Sequence, residues 1–109
     1  MLSLPASVRL FLCQQPVSMH KSFEGLGALV EQLFPGELLS GALFIFLNRS
    51  KNTMKVLYWD GDGFAIFYKR LEKGSFMSRD LRSSQLHRRE FLMLLEGVIP
   101  KRLQHRFSL

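Results

Sequence analysis

A single cysteine, Cys13, occurs among 109 residues. One thiol cannot close an internal disulfide or supply a Cys-rich zinc module, so packing must hold the fold. Long apolar runs are also missing. The longest, Leu38–Leu47, has ten residues and includes Ser40 and Gly41, against the roughly 20 that a membrane-spanning helix needs. The opening Met1-Leu2-Ser3-Leu4-Pro5 has no basic residue ahead of its apolar ones and is broken by proline, which is unlike a secretory signal. The expectation is a soluble protein of the reducing cytoplasm. Acidic residues are scarce, with nine Asp and Glu against fifteen Lys and Arg, for a net charge of +6 and a pI near 10. An excess of this size points to a polyanionic partner.

What is present suits one globular domain. Hydrophobic residues make up 47% of the chain, which excludes wholesale disorder, while the length leaves no room for two cores. The charge is unevenly placed: residues 1–40 carry a net −1 and residues 41–109 a net +7. A bound polyanion therefore belongs to the second part of the chain.

Val8–Cys13 is a short apolar run ahead of Pro16 and reads as a first strand. Phe23, Leu26, Val30, Leu33 and Phe34 then recur at intervals of three and four, which puts them on one face of a helix over 22–34. Ser22 is the expected N-cap and Pro35-Gly36 the stop. Gly25 and Gly27 weaken such a helix, and close approach of its backbone to a sheet is the expected compensation. Three strands follow, Ala42–Leu47, Met54–Trp59 and Phe64–Arg70, joined by the polar stretch 48–53 and by Asp60-Gly61-Asp62-Gly63. Such short connections imply an antiparallel meander. Alternation sets Met54, Val56 and Tyr58 on one side and Lys55, Leu57 and Trp59 on the other. Glu72–Ser75 reads as a turn. A second helix is expected from Ser83 or Ser84 to about Glu96, with Phe91, Leu94, Leu95 and Val98 as its stripe and Gly97 as its stop. Residues 1–98 then form one α+β domain, and 99–109 a basic tail.

Several motifs invite chemistry. The Asp60–Gly63 stretch suggests calcium, but an EF-hand loop counted from Asp60 needs Glu at its twelfth position, where Leu71 stands. The hairpin preference for Asp-Gly accounts for it better. A metal-dependent nuclease would have to assemble its site from Asp60, Asp62, Glu72, Asp80, Glu90 and Glu96. Two of these share a turn, and Glu90 and Glu96 fall on different helix faces. Cys13 lies within an apolar run, away from His20, His87 and His105, as a buried packing thiol would. Gly63–Phe67 resembles part of an RNA-recognition-motif signature, but Asp62 and Lys69 break it where a basic and an aromatic residue belong. The remaining feature is the basic set Lys51, Lys55, Lys69, Arg70, Lys73, Arg79, Arg82, Arg88, Arg89, Lys101, Arg102 and Arg106. Such a set neutralises phosphates or merely solubilises the surface.

Met19–Leu26, Leu39-Ser40-Gly41, Lys55–Phe64, Tyr68–Gly74 and Leu94–Gly97 occur in order. Together they resemble the Orf2-like accessory protein, TnpB, of the sixty-sixth family of bacterial insertion sequences. That protein is unrelated to the RNA-guided nuclease of the same name. Trp59-Asp60-Gly61 followed by Lys69-Arg70-Leu71-Glu72 is the most specific part. The resemblance implies an auxiliary role in DNA transposition beside a separately encoded DDE-type transposase, and it carries over no catalytic residue. The resulting expectation is a non-catalytic, cofactor-free accessory protein that binds DNA, its transposase, or both. Lys55, Lys69, Arg70, Lys73, Arg82, Arg88 and Arg89 are the candidate phosphate ligands, with Trp59 and Tyr68 as candidate partner contacts. An adaptor that never touches DNA is the alternative, and a small nuclease a more distant one.

Overall fold

The computed structural model describes residues 7–76 and 84–96. At its centre β1 (Leu10–Leu12) and β2 (Leu43–Leu47) run parallel, with Leu10 beside Leu43 and Leu12 beside Ile45. Parallel neighbours need a crossover, and α1 (Phe23–Leu33) supplies it. The pairing continues past the strand ends, since Cys13 N–H donates to Ile45 O and Val17 N–H to Leu47 O, each at 2.9 Å. β2 then turns into β3 (Thr53–Trp59) and β4 (Phe64–Arg70), as the expected antiparallel meander. A short β5 (Gln85–Leu86) pairs antiparallel with the free side of β1, and α2 (Arg88–Glu96) follows it. The sheet order is β4-β3-β2-β1-β5, a mainly antiparallel α+β arrangement.

β2 is buried at all five positions, because helices cover both of its faces. Such a strand reads as an unbroken apolar run rather than an alternating one. On one face Leu26 and Val30 of α1 pack with Phe44, Phe46 and Leu57. On the other, Phe91 and Leu94 of α2 pack with Ile45, Met54, Val56 and Phe76. The second helix therefore lies across the sheet from the first. Burying side chains of this size contributes about 1.5–3 kcal/mol each. Three rings join the crossover to the sheet. Phe11 of β1 lies 4.8 Å from Phe34 and 5.7 Å from Phe44, centroid to centroid.

The first helix departs from its expected stripe at both ends. Phe23 is 46% exposed and Leu33 44%, which leaves Leu26 and Val30 as the buried positions of the helix. Ser22 takes the N-cap position, but its hydroxyl makes no capping bond. Gly25 and Gly27 do not bring the helix backbone against the sheet. A Cβ on Gly25 would lie 3.2 Å from Lys21 Cβ, and one on Gly27 3.9 Å from Leu38 Cδ2.

The second helix begins later than expected. Gln85 and Leu86 are drawn into pairing with β1, and Leu12 N–H donates to Ser84 O at 2.6 Å. His87 takes the N-cap position, its N–H donating to the Glu90 carboxylate at 2.8 Å. That contact is the returning half of a capping box. Ser83, Gly97, Val98 and the tail 99–109 lie outside the described residues. Between β3 and β4 the turn uses positive φ at Gly61 alone, at 87°, as a two-residue II′ hairpin requires at its first central position.

Gly27→Ala should stabilise the protein by about 1 kcal/mol, because the added methyl meets only ordinary contact and helix propensity improves. Gly25→Ala should gain less, since Lys21 must move to admit it. Urea denaturation of the two variants checks the order, and a larger gain at Gly25 would contradict it.

Candidate nucleic-acid interface

Basic residues were expected to form one phosphate-contacting surface. The structure divides them into three groups. The first is internal. Lys55 is only 7% exposed. Its Nζ donates to Met19 O and Lys21 O, each at 2.8 Å, and sits 4.8 Å from the Tyr68 ring centroid. This ammonium holds the chain entering α1 against the sheet and does not face solvent, so Lys55 leaves the set of phosphate ligands. Lys69 points to the other face, where its half-buried Nζ donates to Leu95 O at 2.9 Å. It satisfies a last-turn carbonyl of α2 and complements the negative end of that helix. Each helix is thus tied to the sheet by a strand lysine.

The second group gathers where β2 ends and β4 finishes. Arg70 opposes Thr53, and Leu71 N–H donates to Asn52 O at 2.8 Å, which brings the 70–74 segment beside the 48–52 loop. Arg49, Arg70 and Lys73 are exposed there, and half-buried Lys51 lies in the same loop. Asn48 shapes that loop: its Oδ1 accepts from Asn52 N–H at 3.0 Å and Thr53 N–H at 3.1 Å, while Nδ2 donates to Asn52 Oδ1 at 2.7 Å. Lys51 adopts a positive φ of 59° within it. Glu72 is the acid of this end, whereas Asp60 and Asp62 sit on the turn at the far end of the same hairpin. Arg49 was not among the expected ligands. Its place in the polar hairpin loop, beside Lys51, was the available signal.

The third group is Arg88 and Arg89, both exposed in the first turn of α2. They follow Leu86, which pairs with Leu10 at the sheet end where β2 begins. The register therefore sets them diagonally across the sheet from Arg70 and Lys73. Arg79, Arg82, Lys101, Arg102 and Arg106 lie outside the described residues.

The aromatic candidates differ in access. Trp59 is half-buried and meets Phe64 edge-on at 5.0 Å. Tyr68 is 57% exposed, and one side of its ring faces the Lys55 ammonium. A cleft of about 440 Å³ opens between the loop after β1 and the C-terminal half of α1, lined by Cys13, Gln15, Ser18, Lys21, Gln32 and Phe34 among others. No carboxylate or imidazole among the described residues lines it. Among the described residues no group of three or more His, Cys, Asp or Glu is arranged to hold a metal ion. Glu90 is engaged at the α2 N-cap, and Glu72 stands at the other end of β4 from Asp60 and Asp62. Among the same residues no helix is long and apolar enough to cross a membrane.

Lys55→Met keeps most of the side-chain volume but leaves two carbonyls without their donor. It should cost about 2 kcal/mol of stability, the scale of hydrogen bonds to a charged group. Lys69→Met, on a less buried site, should cost about 1 kcal/mol and raise amide exchange at the end of α2. Chemical denaturation with hydrogen exchange checks both; unchanged stability in the Lys55 variant would contradict its anchoring role.

The profile of the IS66 Orf2-like protein family, TnpB_IS66, matches residues 8–105. Similar proteins include the uncharacterized protein y4jC of Sinorhizobium fredii (strain NBRC 101917 / NGR234), 30% identical over 93 residues covering 84% of this chain and 80% of that one. The uncharacterized protein y4hO of the same strain is 34% identical over 77 residues, covering 71% and 67%. No solved structure matches the chain. The sheet, its two helices and the Trp59–Gly63 hairpin all fall within the matched span, and the chain belongs to the IS66 Orf2-like family of accessory proteins of insertion-sequence transposition.

Proposed function

We propose that the chain assists transposition without catalysing it, by binding DNA through the basic end of its sheet. The observation that carries this reading is the convergence of Arg49, Lys51, Arg70 and Lys73 on one end of the β2–β4 meander, with Asp60 and Asp62 held at the other. Guanidinium and ammonium groups on neighbouring loops suit the phosphate backbone, where they displace condensed counterions. Phosphate contacts position a protein on DNA, and sequence preference needs base contacts or DNA shape in addition. Preference for element ends therefore rests on surfaces beyond this cluster or on the transposase. The strand-transfer chemistry belongs to that larger enzyme. A protein-only adaptor is the second reading, favoured by the exposed rings of Phe23 and Tyr68.

Binding to a fluorescent duplex carrying a terminal inverted repeat, beside a scrambled duplex, tests the proposal across roughly 50–200 mM salt. Four phosphate contacts predict a loss of affinity of roughly 150-fold over that range. Arg49→Glu combined with Arg70→Glu should weaken binding to both duplexes and flatten the salt slope by about 2. Absence of binding at the lowest salt would overturn the direct DNA contact and leave the adaptor reading.

A further inference from the structure

β4 ends the sheet, and its outer side is open among the described residues. The hairpin ladder fixes which backbone groups face outward. Asp60 N–H donates to Gly63 O, and Leu71 N–H donates to Asn52 O, each at 2.8 Å. Residue pairs along an antiparallel ladder alternate between bonded and non-bonded. Ala65, Phe67 and Lys69 therefore bond inward to β3, and Phe64, Ile66, Tyr68 and Arg70 present their N–H and C=O groups to the edge. A seven-residue edge of this kind is a template for another strand.

We propose that a second copy of this chain occupies that edge, β4 pairing antiparallel with β4 about a two-fold axis at Phe67. Any two-fold register centred on a residue of β4 matches outward residues with outward residues, and only the one centred on Phe67 pairs all four. In it Phe64 lies opposite Arg70 of the second copy, and Ile66 opposite Tyr68. Tyr68, 57% exposed in the single chain, gains an aliphatic neighbour, and Phe64 meets a guanidinium, both favourable cross-strand pairs.

Charge selects the same orientation. Asp60 and Asp62 precede β4, and Arg70 and Lys73 close and follow it. Antiparallel pairing sets the acidic turn of each copy beside the basic segment of the other, twice per dimer, with Arg70 and Lys73 outnumbering Glu72 there. Parallel pairing would stack acid on acid and base on base. The basic residues also act as a filter, because they oppose strands lacking acids at the matching end. Arg49 and Lys51 lie in the β2–β3 loop, away from the β4 edge, so the contact leaves that part of the basic end open.

Sedimentation velocity of the full chain, from roughly micromolar to hundred-micromolar concentration, tests the proposal. The expected result is a concentration-dependent dimer. Asp60→Lys with Asp62→Lys, and separately Arg70→Glu with Lys73→Glu, should each weaken it tenfold or more, because each places net charge of like sign at both ends. An equimolar mixture of the two variants should recover dimers, since every end then pairs opposite signs. Arg49→Glu should leave dimerisation unchanged, which separates this contact from the DNA contact. A chain that stays monomeric throughout, a dimer indifferent to both charge variants, or a mixture that fails to recover would overturn it.

Discussion

Lys55 Nζ reaches Met19 O and Lys21 O, each at 2.8 Å, and with them fixes where the crossover enters α1. The sheet itself follows from apolar pairing, but the helix above it needs a defined point of attachment. Leu26 and Val30 supply its buried area, and apolar contact is not directional. A charged donor with two carbonyl acceptors is directional, and bonds of this type contribute roughly twice a neutral one. Lys69 repeats the device on the opposite face at the end of α2. Two lysines separated by β-strand geometry thus set the positions of two helices, and those helices in turn bury β2 on both sides.

The consequence for function is a sorting of positive charge. A net charge of +6 suggests a basic surface, but two of its members are internal fasteners. Those that remain outside are not one patch, because the diagonal course of α2 carries Arg88 and Arg89 away from Arg70 and Lys73. The 48–52 loop, stiffened by Asn48, instead contributes Arg49 and Lys51 to the β4 end of the sheet. A hairpin with acids at its turn and bases at its open end is electrically polar along its length. That polarity offers phosphate one end of the molecule and gives the free edge a direction.

Much of this was legible in the residues. The three-and-four spacing around Leu26 and Val30 located α1, the glycines of 60–63 located the hairpin, and alternation assigned the strand faces correctly. β5 was not legible, because two residues carry no pattern of their own and pair only when β1 presents a free side. The start of α2 shifted for the same reason. Phe23 and Leu33 satisfied the helical period yet stay exposed, because spacing gives a face but not which of its positions find apolar partners on the sheet. Lys55 and Lys69 were assigned to phosphate because a lysine in a strand usually faces water. The contrary sign was present: Lys55 shares its face with Leu57, beneath an amphipathic helix, so its ammonium had to find acceptors inside.

Observation of the lysine ammonium groups by nitrogen-15 NMR, during titration with duplex DNA, tests the central claim most directly. The account predicts a Lys55 ammonium signal with slowed proton exchange, correlated with the Met19 and Lys21 carbonyls and unmoved by DNA. In the same titration the backbone amides of Arg49 and Arg70 should shift. A Lys55 ammonium in free exchange with water, or one that moves with added DNA, would contradict both the anchorage and the division of charge built on it.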